Sequence, residues 1–202
     1  MSKTLAFVES PPLVLRLAPV SDMSSEQFFE LCQLNRDLRL ERTGQGDLVI
    51  MPPTGGETGG INFKLTGAFY RWVEADGTGV GFDSSTGFTL PNSATRSPDL
   101  AWVKRERWEA LTAEQRKGFA PLCPDFVLEL RSPSDALATV QAKMQEYLDN
   151  GAQLGWLIDP IEKRVYIYRP QTPTESLDNP QTISGDPVLP GFALELGRVW
   201  NG

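Results

Sequence analysis

CPDFVLELRSPSD, residues 123–135, is the stretch on which the reading of the chain turns. Phe126, Leu128 and Leu130 alternate with odd-numbered positions that carry Asp125, Glu129 and Arg131, the period-two pattern of a strand. Two acids and a guanidinium on one strand face have three explanations: chemistry, a salt-bridged strand end, or a site that has lost its lysine. Strand geometry narrows them. At about 3.3 Å per residue, Asp125 and Glu129 stand about 13 Å apart. Oxygen ligands lie at about 2.0–2.6 Å from a divalent ion, so one ion does not readily join both. Asp125 therefore reads as a strand-opening residue after Pro124.

A partner for Glu129 has to come from a neighbouring strand, about 4.8 Å away. RSPDLAWV, residues 96–103, supplies one by placing Asp99 at the start of a strand thirty residues upstream. Two carboxylates on adjacent strands suit Mg²⁺, a hard cation that takes one or two carboxylates and otherwise water and phosphate oxygens.

Working outward, Ser24-Ser25-Glu26-Gln27 forms a capping box before Phe28, Leu31 and Cys32. Leu38 and Leu40, then Leu48–Ile50, flank Gly44-Gln45-Gly46-Asp47 as a hairpin. PPTGGETGG (52–60) leads into a helix whose apolar face is Ile61, Leu65, Ala68, Phe69, Trp72 and Val73. Short strands follow near Val80–Phe82, Gly87–Leu90 and Leu100–Val103, and Thr112 opens a short helix. Ser132-Pro133-Ser134-Asp135 starts a helix that buries Leu137, Val140, Met144, Tyr147 and Leu148 and closes at Asn150-Gly151. Leu154–Ile158 and Val165–Tyr168 form a second hairpin. The tail from Pro170 reads as a surface wrap before Val188–Leu196. This order predicts a mixed α/β sheet covered by helices, in a single domain over 1–202 with an N-terminal arm (1–23) and a C-terminal extension (170–202).

The chain has 202 residues, 40% of them hydrophobic, with a formal charge of −7. That charge disfavours non-specific nucleic-acid binding through a basic surface. Arg96–Lys117 is locally basic, with six cations against four acids. No apolar run approaches the roughly 20 residues of a membrane span, and the opening residues make a poor secretory signal. Cys32 and Cys123 in apolar surroundings suggest buried thiols and a cytoplasmic setting. With no histidine in the sequence, imidazole acid–base chemistry, Ser-His-Asp triads and histidine zinc sites are excluded. Hydrolysis must then run on carboxylates, lysine or metal.

MPPTGGETG (51–59), STGFTLPN (85–92), RSPDLAWV (96–103), PDFVLELRSPSD (124–135), KMQEYLDNGAQLGWLIDP (143–160) and VLPGF (188–192) together resemble the Uma-two family, which is classed with the restriction endonucleases in the PD-(D/E)xK nuclease superfamily. The resemblance runs from about Glu26 to Trp200. It implies a restriction-endonuclease-like fold and Mg²⁺-dependent DNA cleavage, with Mn²⁺ as substitute. It also implies Asp99 and Glu129 as metal ligands, with Glu57 at a helix-borne acid position. The superfamily's strand lysine is replaced by Arg131, which can stabilise phosphate charge but cannot act as a base. In the family the lysine moves to the following helix, where Lys143 matches. The helical wheel puts Lys143 at the margin of that helix's apolar face.

Each residue also has a plainer role. Glu129 can pair with Arg131, Asp99 can cap a turn, Lys143 can snorkel, and Glu57 suits a helix N-terminus regardless. Asp83 reads as turn chemistry, and the five tryptophans as core or interface residues rather than base-stacking platforms. The competing reading for the whole chain is a catalytically weak or inactive nuclease-fold module that binds nucleic acid or a protein. By analogy with enzymes that cut two strands, a homodimer is expected.

Overall fold

The computed structural model describes residues 11–17 and 21–200; the reading of residues 1–10 and 18–20 in the N-terminal arm lies outside the described residues. In chain order the first half holds β1 (Leu13–Leu15), α1 (Ser25–Leu34), β2 (Arg39–Arg42), β3 (Leu48–Met51), α2 (Gly56–Asp76), β4 (Gly79–Asp83), β5 (Phe88–Thr89), β6 (Thr95–Arg96) and β7 (Leu100–Lys104). The second half holds α3 (Arg105–Glu109), α4 (Ala113–Lys117), β8 (Phe126–Leu130), α5 (Leu137–Asp149), β9 (Leu154–Asp159), β10 (Arg164–Tyr168), β11 (Glu175–Asp178), β12 (Thr182–Ser184), β13 (Ala193–Glu195) and α6 (Gly197–Trp200). The architecture is mixed α/β.

Six strands in the order β11-β10-β9-β8-β7-β4 make the main sheet. Its one parallel pair is β8 with β9, joined through α5. All five residues of β8 are buried, because both faces of the sheet are covered. On one face Ile61, Leu65 and Phe69 of α2 meet Leu128 and Trp156. On the other, Val140, Met144 and Tyr147 of α5 meet Val127 and Leu157. Gly155 permits that second contact, since a Cβ there would stand 2.5 Å from Met144 Cε. A second sheet, ordered β1-β3-β2-β6-β5, carries the expected β2–β3 hairpin.

The local signals have visible causes. Ser24 and Gln27 close a reciprocal capping box on α1, and Thr112 with Gln115 does the same on α4. Gly77 ends α2 in the left-handed region at φ 67°, which glycine takes without a Cβ penalty. Trp102 and Trp156 are buried in the core. Both thiols are free, with Cys123 buried and Cys32 half-buried.

One expectation is corrected. Ser132–Asp135 does not cap α5. Asp135 instead accepts the backbone N–H and the hydroxyl of Ser132, at 2.9 and 2.7 Å, closing a turn before a helix whose N-cap is Ala136. The tail from Pro170 to Pro187 is mostly exposed, as expected of a surface wrap before Val188–Leu196, with Ile183 and Gly185 buried. Ile183, Leu189, Phe192, Leu194, Leu196, Val199 and Trp200 are all buried on the α2 side of the sheet. Phe192 stacks on Trp156 at 5.7 Å and also meets Phe69 and Trp72. Aromatic burial of this kind outweighs the pull of the surrounding prolines, glycines and acids towards solvent. Among the described residues no helix is long and apolar enough to cross a membrane.

Candidate active site

Antiparallel pairing sets Leu100 of β7 opposite Leu128 of β8. Continued by one residue, that register brings Asp99 beside Glu129. Asp99 Oδ2 accepts the backbone N–H of Leu130 at 2.9 Å, which fixes the carboxylate at the strand end. Its Oδ1 lies 3.4 Å from the Asn62 amide nitrogen of α2. Burial pushes the Asp99 carboxyl above its ordinary range, against the Leu130 N–H and the charge of Lys143. Glu129 is pushed up to about 7, first by burial and then by the carboxylates of Asp99 and Glu41, with Lys143 opposing.

Lys143 reaches the pair from α5. Its Nζ stands 2.8 Å from Glu129 Oε1 and 2.9 Å from Glu41 Oε1. The Tyr147 hydroxyl, one turn further along α5, donates to the same Glu129 oxygen at 2.9 Å. Burial alone would lower the lysine; Glu129 and Glu41 more than offset it and hold the ammonium protonated.

Glu41 and Arg96 come from the second sheet and are the residues that sequence reasoning missed. Arg96 bridges Glu41 Oε2 at 3.0 Å and Glu146 Oε2 at 2.6 Å, and the Ser97 N–H donates to Glu41 Oε1 at 2.9 Å. Burial would raise Glu41, but Lys143 and Arg96 outweigh it and hold this carboxyl below its ordinary range. A usable sign lay in the stretch RLER, where β2 carries an acid and a cation side by side, both buried.

Other candidates stand elsewhere. Arg131 does not pair with Glu129. Parallel pairing of Leu130 with Ile158, continued by one residue, sets Arg131 alongside fully buried Asp159, and the two bond at 2.7 Å. Glu57 is exposed in the first turn of α2, outside the residues that line the cavity described below. Asp125 accepts the Lys104 N–H and pairs with Arg107 at 2.9 Å, which ties β8 to the end of β7. Asp83 closes a turn on Ser85.

Asp99, Glu129, Glu41, Lys143 and Asn62 open into a cavity of about 1000 Å³, walled by Pro52, Pro53 and α5. Among the described residues no three His, Cys, Asp or Glu side chains form a ready metal cage. Mg²⁺ does not need one, because it keeps several waters and binds through one or two carboxylates.

The Glu129 shift carries a stability consequence. Between its ordinary 4.5 and about 7 the folded protein holds a proton that the unfolded chain has released. The contribution of this group is therefore complete below pH 4.5 and is lost as pH rises through 7. In metal-free urea denaturation, the stability of Glu129→Gln relative to wild type is expected to climb across that window. A difference that stays flat with pH removes the raised carboxyl.

A crystal structure from Anabaena variabilis, described as "a putative nuclease belonging to DUF820", aligns with a TM-score of 0.73 at 21% identity, covering 89% of this chain and 98% of that one. At that identity the likeness speaks for the fold. No curated protein matches the chain. The model of the Uma2 family, described as "Putative restriction endonuclease", matches residues 25–197. Fold and family match agree: the chain belongs to the Uma2 family.

Proposed function

We propose that the protein hydrolyses phosphodiester bonds of DNA with a divalent cation, Mg²⁺ or Mn²⁺, at the Asp99–Glu129 pair. The observation that carries this reading is a pair of carboxylates from adjacent strands, Glu129 buried and Asp99 half-buried, both raised, at the floor of a large cavity. Two such groups strongly favour a cation between them.

The donor set fits a hard ion. Asn62 Oδ1 is buried beside Asp99 with no hydrogen-bond partner among the described residues, and such an atom is costly to leave unmatched. It adds a neutral oxygen to the two carboxylates. Asp99 and Glu129 would hold the ion, with Asn62 beside them. When bound, the ion lowers the pKa of water and offsets charge on the phosphoryl oxygens.

The chain's own residues supply the rest. Lys143, kept protonated, donates to a phosphoryl oxygen and stabilises the charge that develops there; it cannot serve as a base in that state. Glu41 and Tyr147 hold the Lys143–Glu129 pair in place. Arg39 adds positive charge to the cavity wall.

Calorimetric titration with Mn²⁺ tests the reading. Wild type is expected to bind, and Asp99→Asn to lose at least about 10-fold in affinity. No binding by wild type, or equal binding by the variant, replaces this reading with a nuclease-fold module that binds nucleic acid or protein without cutting.

A further inference from the structure

The face of α2 turned away from the sheet is made of Gly56, Gly60, Phe63, Gly67, Tyr70 and Glu74. These positions recur every three or four residues, so they line one stripe opposite Ile61, Leu65 and Phe69. Phe63 is 81% exposed and Tyr70 61%. A Cβ placed on Gly56, Gly60 or Gly67 meets nothing within 4 Å. The fold of one chain therefore does not require these glycines, and glycine weakens a helix wherever alanine would fit. Bare glycines beside exposed aromatics make holes beside knobs.

We propose that this face binds a second copy of the chain, α2 packed antiparallel on α2 about a two-fold axis. The stripe is self-complementary in register. Gly60 and Tyr70 share the midpoint Leu65, and so do Phe63 and Gly67. An antiparallel pair centred there seats Tyr70 over the partner's Gly60 and Phe63 over the partner's Gly67. Symmetry repeats both contacts, as an isologous interface demands.

The charges agree. Glu57, Lys64 and Arg71 lie at seven-residue steps along one flank of α2. Antiparallel packing sets Glu57 against the partner's Arg71, twice. The like-charge approach, Lys64 against the partner's Lys64, is relieved within each chain, because Lys64 Nζ donates to the Arg198 carbonyl of α6 at 3.3 Å. The aromatic–glycine register and the flank charges thus select the same partner, and neither depends on the chemistry of the cavity.

Sedimentation velocity over a concentration series tests the proposal. Wild type is expected to reach twice the 22.3 kDa chain mass. Phe63→Glu should weaken association at least tenfold. Gly67→Leu fills the hole with a better helix former, so it should abolish the dimer without lowering the melting temperature. Glu57→Arg and Arg71→Glu should each weaken the dimer, and the double variant should restore it. A wild type that stays monomeric throughout overturns the proposal. So does a dimer indifferent to Gly67→Leu, or a charge swap that fails to restore association.

Discussion

Glu129→Gln is expected to remain folded and to lose at least about 100-fold of Mg²⁺-dependent DNA cleavage, the scale seen when one pre-set electrostatic group is removed from a reacting centre. The substitution keeps the side chain's size and can keep the bond from Tyr147, but it takes away the negative charge of a carboxylate that lines the cavity. Asp125→Asn is the informative control. Asp125 lies on the same strand stretch yet is spent on the Lys104 N–H and Arg107, so its loss should lower stability while leaving Mn²⁺ affinity intact. Wild-type cleavage by Glu129→Gln, read as plasmid nicking under matched metal, removes Glu129 from the chemistry.

Lys143→Met is expected to cost about 3–5 kcal/mol of stability in metal-free urea denaturation, because a buried charge network loses its cation. Lys143 is the cation shared by Glu129 and Glu41. Glu41 keeps Arg96, whereas Glu129 keeps a neutral donor, the Tyr147 hydroxyl. Adding Mg²⁺ should return part of the loss, since an ion at the carboxylates replaces the missing charge and stabilises the state that binds it. A cost below about 1 kcal/mol would place Lys143 among ordinary surface ion pairs.

How far the sequence could be read depended on how local each cause is. β8 declared itself by alternation, and Asp99 followed from the spacing of strands; the register of β7 on β8 sets it beside Glu129. Lys143 and Tyr147 could be placed because a helix face is periodic. Glu41 left a sign in RLER, but its partners were not legible: they are 55 and 102 residues away in the chain, a separation that no window of periodicity spans. Arg131 was misjudged because its fate depends on the register of β9, which delivers Asp159 to it. The tail was legible only up to Pro187. Its prolines and glycines speak of turns, while the core contact of Phe192 depends on a tryptophan and two α2 aromatics brought there by tertiary packing.

Besides the apolar packing of Phe88, Leu90 and Ala94, part of the link between the two sheets is charge at the cavity floor. Glu41 on β2 and Arg96 on β6 reach across to Lys143 and Glu146 of α5. A ligand that recruits Lys143 or Arg96 therefore draws on the same free energy that fastens the second sheet to the first. Affinity and closure are coupled by thermodynamic necessity: whatever loosens the seam frees those cations and strengthens the grip on an anion that needs them, and such an anion loosens the seam in turn.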